Sequence, residues 1–343
     1  MVVALLAAVA IGVGVSWWMG RAESPQSPSD SAAFTLNEVP SVTGAGRVTA
    51  VAAVDEKRFL MGTSQGKVIN IEMRPGQSPA STVLTSVPAQ VRDLTLSGDG
   101  RTVAVTDAAG LVRVQGLRGG APNDFRIDLT EGPVTLNRSG TEFAYGQFTI
   151  TLMDTRTRQA RTLPAKPVPN GGRSAYDDWA ITDDGRVLAA GAEGIDMWYL
   201  NEPEKASKPI TCACPAASVA LSPDGRYATY GTVDGHAVVV DIDKRAVLED
   251  KTLSPRPDDF VGTVTAFGSG SYFAAGTSTP ERVVIWDASE HRIVWDHLFP
   301  QHKIAEVSAV PGSEALLVQT NRYQDLGHEP FNTVRPWLVQ PRE

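Results

Sequence analysis

The sequence predicts an all-β protein: a seven-bladed β-propeller of four-stranded antiparallel blades, preceded by one N-terminal transmembrane helix. Three observations predict it. A unit of roughly 43 residues recurs seven times. Each unit alternates short apolar runs with Gly-bearing turns. The stretch from Val2 to Met19 carries no charge at all.

The uncharged stretch comes first. As a helix, its eighteen residues would span about 27 Å at 1.5 Å per residue, close to a bilayer core. Trp17 and Trp18 end it, where indoles favour the headgroup level, and Arg21 follows. A cleaved signal peptide is the competitor. It would have a shorter apolar core behind a basic start. Residues 1–21 are therefore read as an uncleaved anchor, with a signal segment as the alternative. This implies a single-pass membrane location. One Arg after the span argues for a cytoplasmic body, while the short N-terminus favours the extracytoplasmic side, which is preferred. The missing basic start would also fit the tail of a longer protein. Ala4, Ala8, Gly12 and Ser16 form a small-residue stripe that either pairs helices or reflects an Ala/Gly-rich composition. Residues 22–31 are Ser/Pro-rich and polar, as in a flexible tether.

Residues 32–343 form the repeat domain. The segments "KRFLMG", "RTVAVT", "TEFAYG", "RVLAAG", "RYATYG", "SYFAAG" and "EALLVQ" align under one another. Their last residues are Gly62, Thr106, Gly146, Gly191, Gly231, Gly276 and Gln319, at spacings of 44, 40, 45, 40, 45 and 43. A turn and an alternating apolar stretch precede each segment. The fifth unit shows four strands: "ASVALS", "RYATYG", "HAVVVDID" and "AVLEDKTL". Asp-Gly pairs separate the first three, because the turns need positive backbone angles that Gly tolerates. The second and third strands are nearly continuous apolar runs, as expected when both faces are buried.

The segments "LSPDGRYATYGTVDGHAVVVDID" and "VVIWDAS" resemble WD40-repeat propellers, with their SPDG turn, DG turn and Trp-Asp strand end. The resemblance covers about residues 32–340 and is degenerate. Trp286-Asp287 is the one full Trp-Asp pair at a third-strand end, and the Gly-His pair that opens many such repeats is absent. The resemblance implies a ring-shaped interaction module.

Ring closure follows from strand counting. The seventh unit supplies three strands, and "AAFTLNEVPSV" matches fourth strands such as "ASTVLTSVPAQV". Residues about 33–39 should complete the last blade and remove an open edge. Pro336, inside "TVRPWLV", predicts a bulge or an early strand end.

The net charge is -8, with no Lys/Arg cluster longer than a pair. A phosphate-backbone binder needs a basic face, so nucleic acid is excluded as a partner. Cys212 and Cys214 are two apart, too close for an unstrained disulfide and too few for a metal. They read as small side chains, or else as a redox-labile pair.

The motifs point away from chemistry. Gly62 to Gly66 matches a nucleophile elbow around Ser64, but that motif needs a strand running into a helix. Asp99, Asp184, Asp224 and Asp234 sit in Asp-Gly turns, on different blades, without the converging oxygens of a calcium loop. His291, His297 and His302 cluster around an outer strand. His236 and His328 lie elsewhere, and no triad assembles in one repeat. No catalytic residue, cofactor or metal is expected. The loops leading into the first strands should line one end of the channel. They carry Arg92, Asp93, Tyr176, Asp177, Asp178, Asp258 and Asp259, a polar rim suited to partner contact. The insertion "NRYQDLGHEPFN" at 321–332 is the longest loop inside a blade.

The functional expectation is a membrane-tethered protein-interaction or sensing scaffold without catalytic activity, with protein partners. One version makes it the sensor arm of a larger signalling protein. The alternative is a propeller hydrolase or dehydrogenase with its site in the channel. Three or more clustered Glu, Asp or His side chains at the channel would favour that alternative. A lining of small and apolar side chains would exclude it.

Overall fold

The structure is a computed structural model. It describes residues 33–342 apart from 41–45, 75, 128–132, 147–148, 164–175, 193, 200–214, 255–259, 269 and 323–333. The anchor and tether segments, Cys212, Cys214, Asp258, Asp259, His328 and nearly all of the 321–332 insertion lie outside the described residues.

Seven antiparallel sheets form the blades, six of them in the order of a simple meander. The fifth blade is representative, with strands Ala216–Leu221, Tyr227–Thr232, His236–Asp241 and Ala246–Thr252. The fourth blade shows three strands among the described residues, Tyr176–Ile181, Arg186–Gly191 and Gly194–Tyr199. In the seventh blade, Phe34–Glu38 is the outer strand and pairs with Val334–Pro341. The two halves of the register run from Phe34 opposite Pro341 to Glu38 opposite Trp337. The first and last parts of the domain are thus held in one sheet, which removes a free edge there.

The expectation of a single-pass membrane location is corrected. No helix among the described residues is long and apolar enough to cross a membrane.

The core lies between blades rather than within any one of them. Ala50, Leu60 and Val68 of blade one pack with Val91, Leu94, Val103 and Val105 of blade two. Phe34 and Val339 pack with Phe267 and Ile285 across the sixth and seventh blades. This explains the Gly that ends several aligned segments. A Cβ on Gly62 would lie 2.4 Å from Val91 Cγ1, and one on Gly231 would lie 2.4 Å from the Val261 carbonyl oxygen. The next blade's first strand occupies that space. In blade four the aligned position is Ala190, one residue earlier than Gly191, because the hairpin is one residue shorter. Thr182 N–H reaches Arg186 O there, whereas Ser222 N–H reaches Tyr227 O in blade five.

The Asp-Gly turns are self-contained. Ser222 Oγ donates to Asp224 Oδ1 at 2.5 Å and accepts from Tyr227 N at 2.9 Å, while Arg226 N donates to the same Asp224 oxygen at 3.1 Å. Ser97, Asp99, Arg101 and Thr102 repeat the pattern in blade two. Each carboxylate is occupied by its own turn, where Gly225 and Gly100 take positive φ.

Pro336 produces neither a bulge nor an early end, and that expectation is corrected. The strand continues through it in unbroken register with Leu316–Arg322, where Pro336 faces Gln319. Its carbonyl accepts from Val39 N at 2.9 Å. Its nitrogen faces the same side, so the lost donor falls just where pairing with Phe34–Glu38 stops.

Candidate functional site

The first strands line a central cavity of about 1150 Å³. Six of them carry the same irregularity. The register shifts between Val48 and Ala50, Val91 and Asp93, Tyr176 and Asp178, Ala216 and Ser218, Val261 and Thr263, and Ile304 and Glu306. Each is a bulge one turn of the pleat from the strand start. A bulge bends the strand and re-aims its side chains. In five of the six blades the residue after the bulge, Asp93, Asp178, Ser218, Thr263 or Glu306, lines the cavity.

Three of those positions are acidic. Asp93, Asp178 and Glu306 all line the cavity, from the second, fourth and seventh blades. Asp178 Oδ1 accepts from Trp179 N at 2.8 Å and Oδ2 from Val219 N at 2.9 Å. Asp93 Oδ1 accepts from Leu94 N at 2.7 Å, and Thr95 Oγ1 donates to its Oδ2 at 3.3 Å. Glu306 accepts from Gln319 Nε2 at 2.6 Å. Gln319 Oε1 in turn accepts from Val51 N of the first blade, at 3.1 Å.

Enclosure within the ring raises all three carboxyls above their ordinary values. Burial pushes Asp178 up to about 7, with Asp177 and Asp93 adding repulsion. Burial pushes Glu306 up to about 8, with Asp93 and Asp178 adding repulsion. Asp93 is raised for the first of these reasons and held back by its hydrogen bonds and by Arg92. Desolvation and like charge act in one direction at Asp178 and Glu306, so these two hold protons near neutrality. Asp177, exposed at the mouth, is also raised by burial.

The placement of the rim residues is corrected. Arg92, Asp93, Tyr176, Asp177 and Asp178 lie on first strands, Val91–Leu96 and Tyr176–Ile181, and not in loops. The bulges, invisible to strand counting, bring the acidic side chains onto the channel wall. Arg92 and Asp177 are the exposed extra residues of their bulges. Tyr176 is buried and donates its hydroxyl to Asp196 Oδ2 at 3.0 Å, a structural role. Glu306 was missed. One signal was available: Asp93, Asp178, Ser218, Thr263 and Glu306 each fall four residues before the first turn of their blade.

The other motifs stay apart from the channel chemistry. Ser64 sits in a hairpin turn followed by strand Lys67–Glu72, so no nucleophile elbow forms. His297 stacks on Trp295 with ring centroids 5.3 Å apart, and burial lowers its pKa. His291 lies in the preceding turn, 3.7 Å from Glu249. His302 packs edge-on against Trp337, and His236 Nδ1 lies 2.7 Å from Asp250. Among the described residues, no group of three His, Cys, Asp or Glu could hold a metal ion. The channel therefore meets neither earlier criterion in full. Its wall mixes apolar residues such as Val51 and Leu94 with three electrostatically linked carboxyls.

The architecture is a seven-bladed β-propeller. No family model and no curated protein matches the chain. Solved structures do. The chain is similar to the β-propeller domain of Cps50 (Swd1) from Myceliophteria thermophila, at 16% identity and a TM-score of 0.68, covering 89% of this chain and 99% of that one. It is similar to U3-55K at 13% identity and a TM-score of 0.64, covering 90% and 98%. It is similar to the WD40 repeats of RRP9 at 13% identity and a TM-score of 0.64, covering 90% and 97%. At these identities the likeness establishes the fold.

Proposed function

We propose that the protein is an interaction scaffold whose channel mouth, on the side of the bulges, docks a protein partner. The observation that supports this most is the bulge level itself. Five of the six bulge positions, Asp93, Asp178, Ser218, Thr263 and Glu306, line the cavity, and three of them are acidic, on a frame fixed by inter-blade packing. A rigid frame presenting a few polar groups at one mouth suits recognition. Sensing belongs to the same reading, because carboxyls that hold protons near neutrality make the face respond to pH. Among the solved neighbours are a β-propeller domain and a set of WD40 repeats, which is consistent with a scaffold, and their own assemblies are not transferred to this chain.

A channel enzyme is the second reading, and the three carboxyls are what favours it. Raised carboxyls can serve as general acids. No nucleophile or metal set accompanies them among the described residues.

The test uses a photo-crosslinking amino acid placed at Asp177, on the mouth, or at Val247, which is exposed on an outer strand. The scaffold reading expects a defined protein adduct in intact cells from position 177 and none from position 247. Equal labelling from both, or no adduct together with hydrolysis of a panel substrate abolished by Glu306→Gln, contradicts it.

A further inference from the structure

The ring gathers on its rim arginines that the sequence keeps apart. Arg126 ends the outer strand Asn123–Arg126 of blade two. Arg156 and Arg158 lie in the turn between strands Thr151–Asp154 and Ala160–Thr162 of blade three. That turn closes on itself. Asp154 Oδ1 accepts from Arg156 N at 2.9 Å and from Thr157 N at 2.6 Å, and Arg158 takes a φ of 62°. Asn123 Nδ2 donates to Thr155 O at 3.1 Å, which ties the turn to the outer strand of blade two. The Arg158 guanidinium lies over the Phe125 ring of that strand, 5.4 Å from its centroid.

Charge at this seam does not balance. Asp124 stands among three guanidiniums. Arg113 takes both of its oxygens, at 2.7 and 2.6 Å. Those bonds hold the Asp124 carboxyl below its ordinary range, and the fields of Arg113, Arg126 and Arg158 act in the same direction. One carboxylate thus answers to three cations and is already saturated by one of them. Among the described residues Arg126, Arg156 and Arg158 form no ion pair, and all three are exposed. The Arg126 guanidinium reaches a neutral acceptor, Ala109 O, at 3.3 Å. Elsewhere on the ring, Arg161 pairs with Glu142 and Arg186 with Asp184 and Asp243. In a chain of net charge -8, three unpaired arginines at one seam reverse the local field.

The chemistry of the seam suits an anion carrying several charges. None of the three arginines lines the channel. A lone small anion on such open surface would stay solvated, because one exposed pair contributes little. Several acidic groups in a row engage all the guanidinium forks together. A nucleic acid fits poorly against so acidic a chain. A bilayer surface adds insertion of apolar side chains to charge. Among the described residues the exposed large apolar side chains lie on blades one, five and six. We propose that the rim of blades two and three docks an acidic segment of a protein partner, with Arg126, Arg156 and Arg158 as its contacts. This surface is separate from the channel mouth, so it stands or falls independently of the docking reading above.

The probe is acetyl-tetra-aspartyl-amide, with the tetra-asparaginyl peptide as its uncharged isostere. Binding to the full chain is followed through the arginine Nε–Hε resonances at low salt and at about 300 mM salt. The aspartyl peptide is expected to bind at low salt, at least about tenfold more tightly than the asparaginyl peptide, and to weaken as salt is raised. Arg126→Gln, Arg156→Gln and Arg158→Gln should each weaken it about threefold, and the triple variant at least about tenfold. Arg245→Gln should leave it unchanged, although Arg245 occupies the matching turn position of blade five with a φ of 51°. Melting curves confirm that each variant is folded. Equal affinity for the two peptides, absence of binding, or full binding by the triple variant overturns the proposal. Tighter binding of phosphatidylserine vesicles or of single-stranded RNA through the same arginines also overturns it, by assigning the rim to another class of partner.

Discussion

The Asp178 carboxylate accepts the Val219 amide at 2.9 Å, so a side chain of the fourth blade satisfies the backbone of the fifth. Thr263 Oγ1 does the same for Val307 N between the sixth and seventh blades, and Gln319 Oε1 for Val51 N between the seventh and first. In each case the amide that donates follows a bulge. The bulge leaves that amide without a ladder partner, and the previous blade supplies one. The polar layer around the channel is thus partly a clasp between blades, and Asp178 belongs to both the clasp and the candidate site.

The clasp makes a direct prediction at Thr263. Thr263→Val keeps the shape and removes the acceptor for Val307 N. Leaving that amide unpaired should cost roughly 1–3 kcal/mol. Thr263→Ser should recover most of the loss. Urea unfolding of the three proteins checks this. Equal stability of wild type and Thr263→Val would show that the contact does not matter.

Stability should depend on pH in a defined direction. The folded state holds protons on Asp178 and Glu306 up to about 7 and about 8, well above the ordinary carboxyl value. Between about pH 4 and these values the folded chain binds more protons than the unfolded chain. Stability from these groups is therefore fully present at the acid end and is lost as pH rises toward 8. Glu306→Gln, which keeps an acceptor for Gln319 Nε2, should raise stability at pH 8 by roughly 1–4 kcal/mol and flatten the slope. Melting curves from pH 5 to 8.5 test it. A slope of the opposite sign would contradict the account.

Two glycines separate strain from collision. Gly66 and Gly76 both have positive φ, 76° and 70°. A Cβ on Gly66 would lie 2.2 Å from the Val87 carbonyl oxygen and 2.6 Å from that of Ala89, whereas one on Gly76 meets nothing within 4 Å. Gly76→Ala should cost about 1 kcal/mol of backbone strain. Gly66→Ala should cost clearly more, roughly 3 kcal/mol or above. Comparable losses would mean that the Val87 loop gives way.

Closure is tested at Phe34. Its ring is 3% exposed and sits edge-on to Phe267 and Tyr272, at 6.2 and 5.7 Å. Phe34→Ala should cost roughly 3–5 kcal/mol. Removing residues 32–40 should lower the melting temperature further, by opening the last blade. An unchanged melting temperature after that removal would contradict the closure.

The repeat was legible in the sequence because turns are local. "SPDG" names its own hydrogen bonds, and Ser222, Asp224 and Gly225 make them within the turn. Register is not local. The sequence places Asp93 and Asp178 in loops at the mouth and does not show the extra strand residue that turns them onto the wall. Glu306 was hidden for the same reason, although its fixed distance from the turn marks it once the blades are aligned. Pro336 misled because its missing donor falls at the end of a neighbour strand, a fact of pairing and not of sequence. The apolar stretch at the N-terminus resembles a span by composition, and the described residues contain no spanning helix.

The central claim is that Asp178 and Glu306 hold protons at neutral pH. Infrared difference titration of the full chain measures this through the carbonyl stretch of protonated carboxyls. The account predicts a protonated-carboxyl signal that persists at pH 6.5, disappears above pH 8.5, and is reduced in Asp178→Asn and again in the double variant with Glu306→Gln. A signal already absent at pH 6.5, or one unaltered in the double variant, would contradict it.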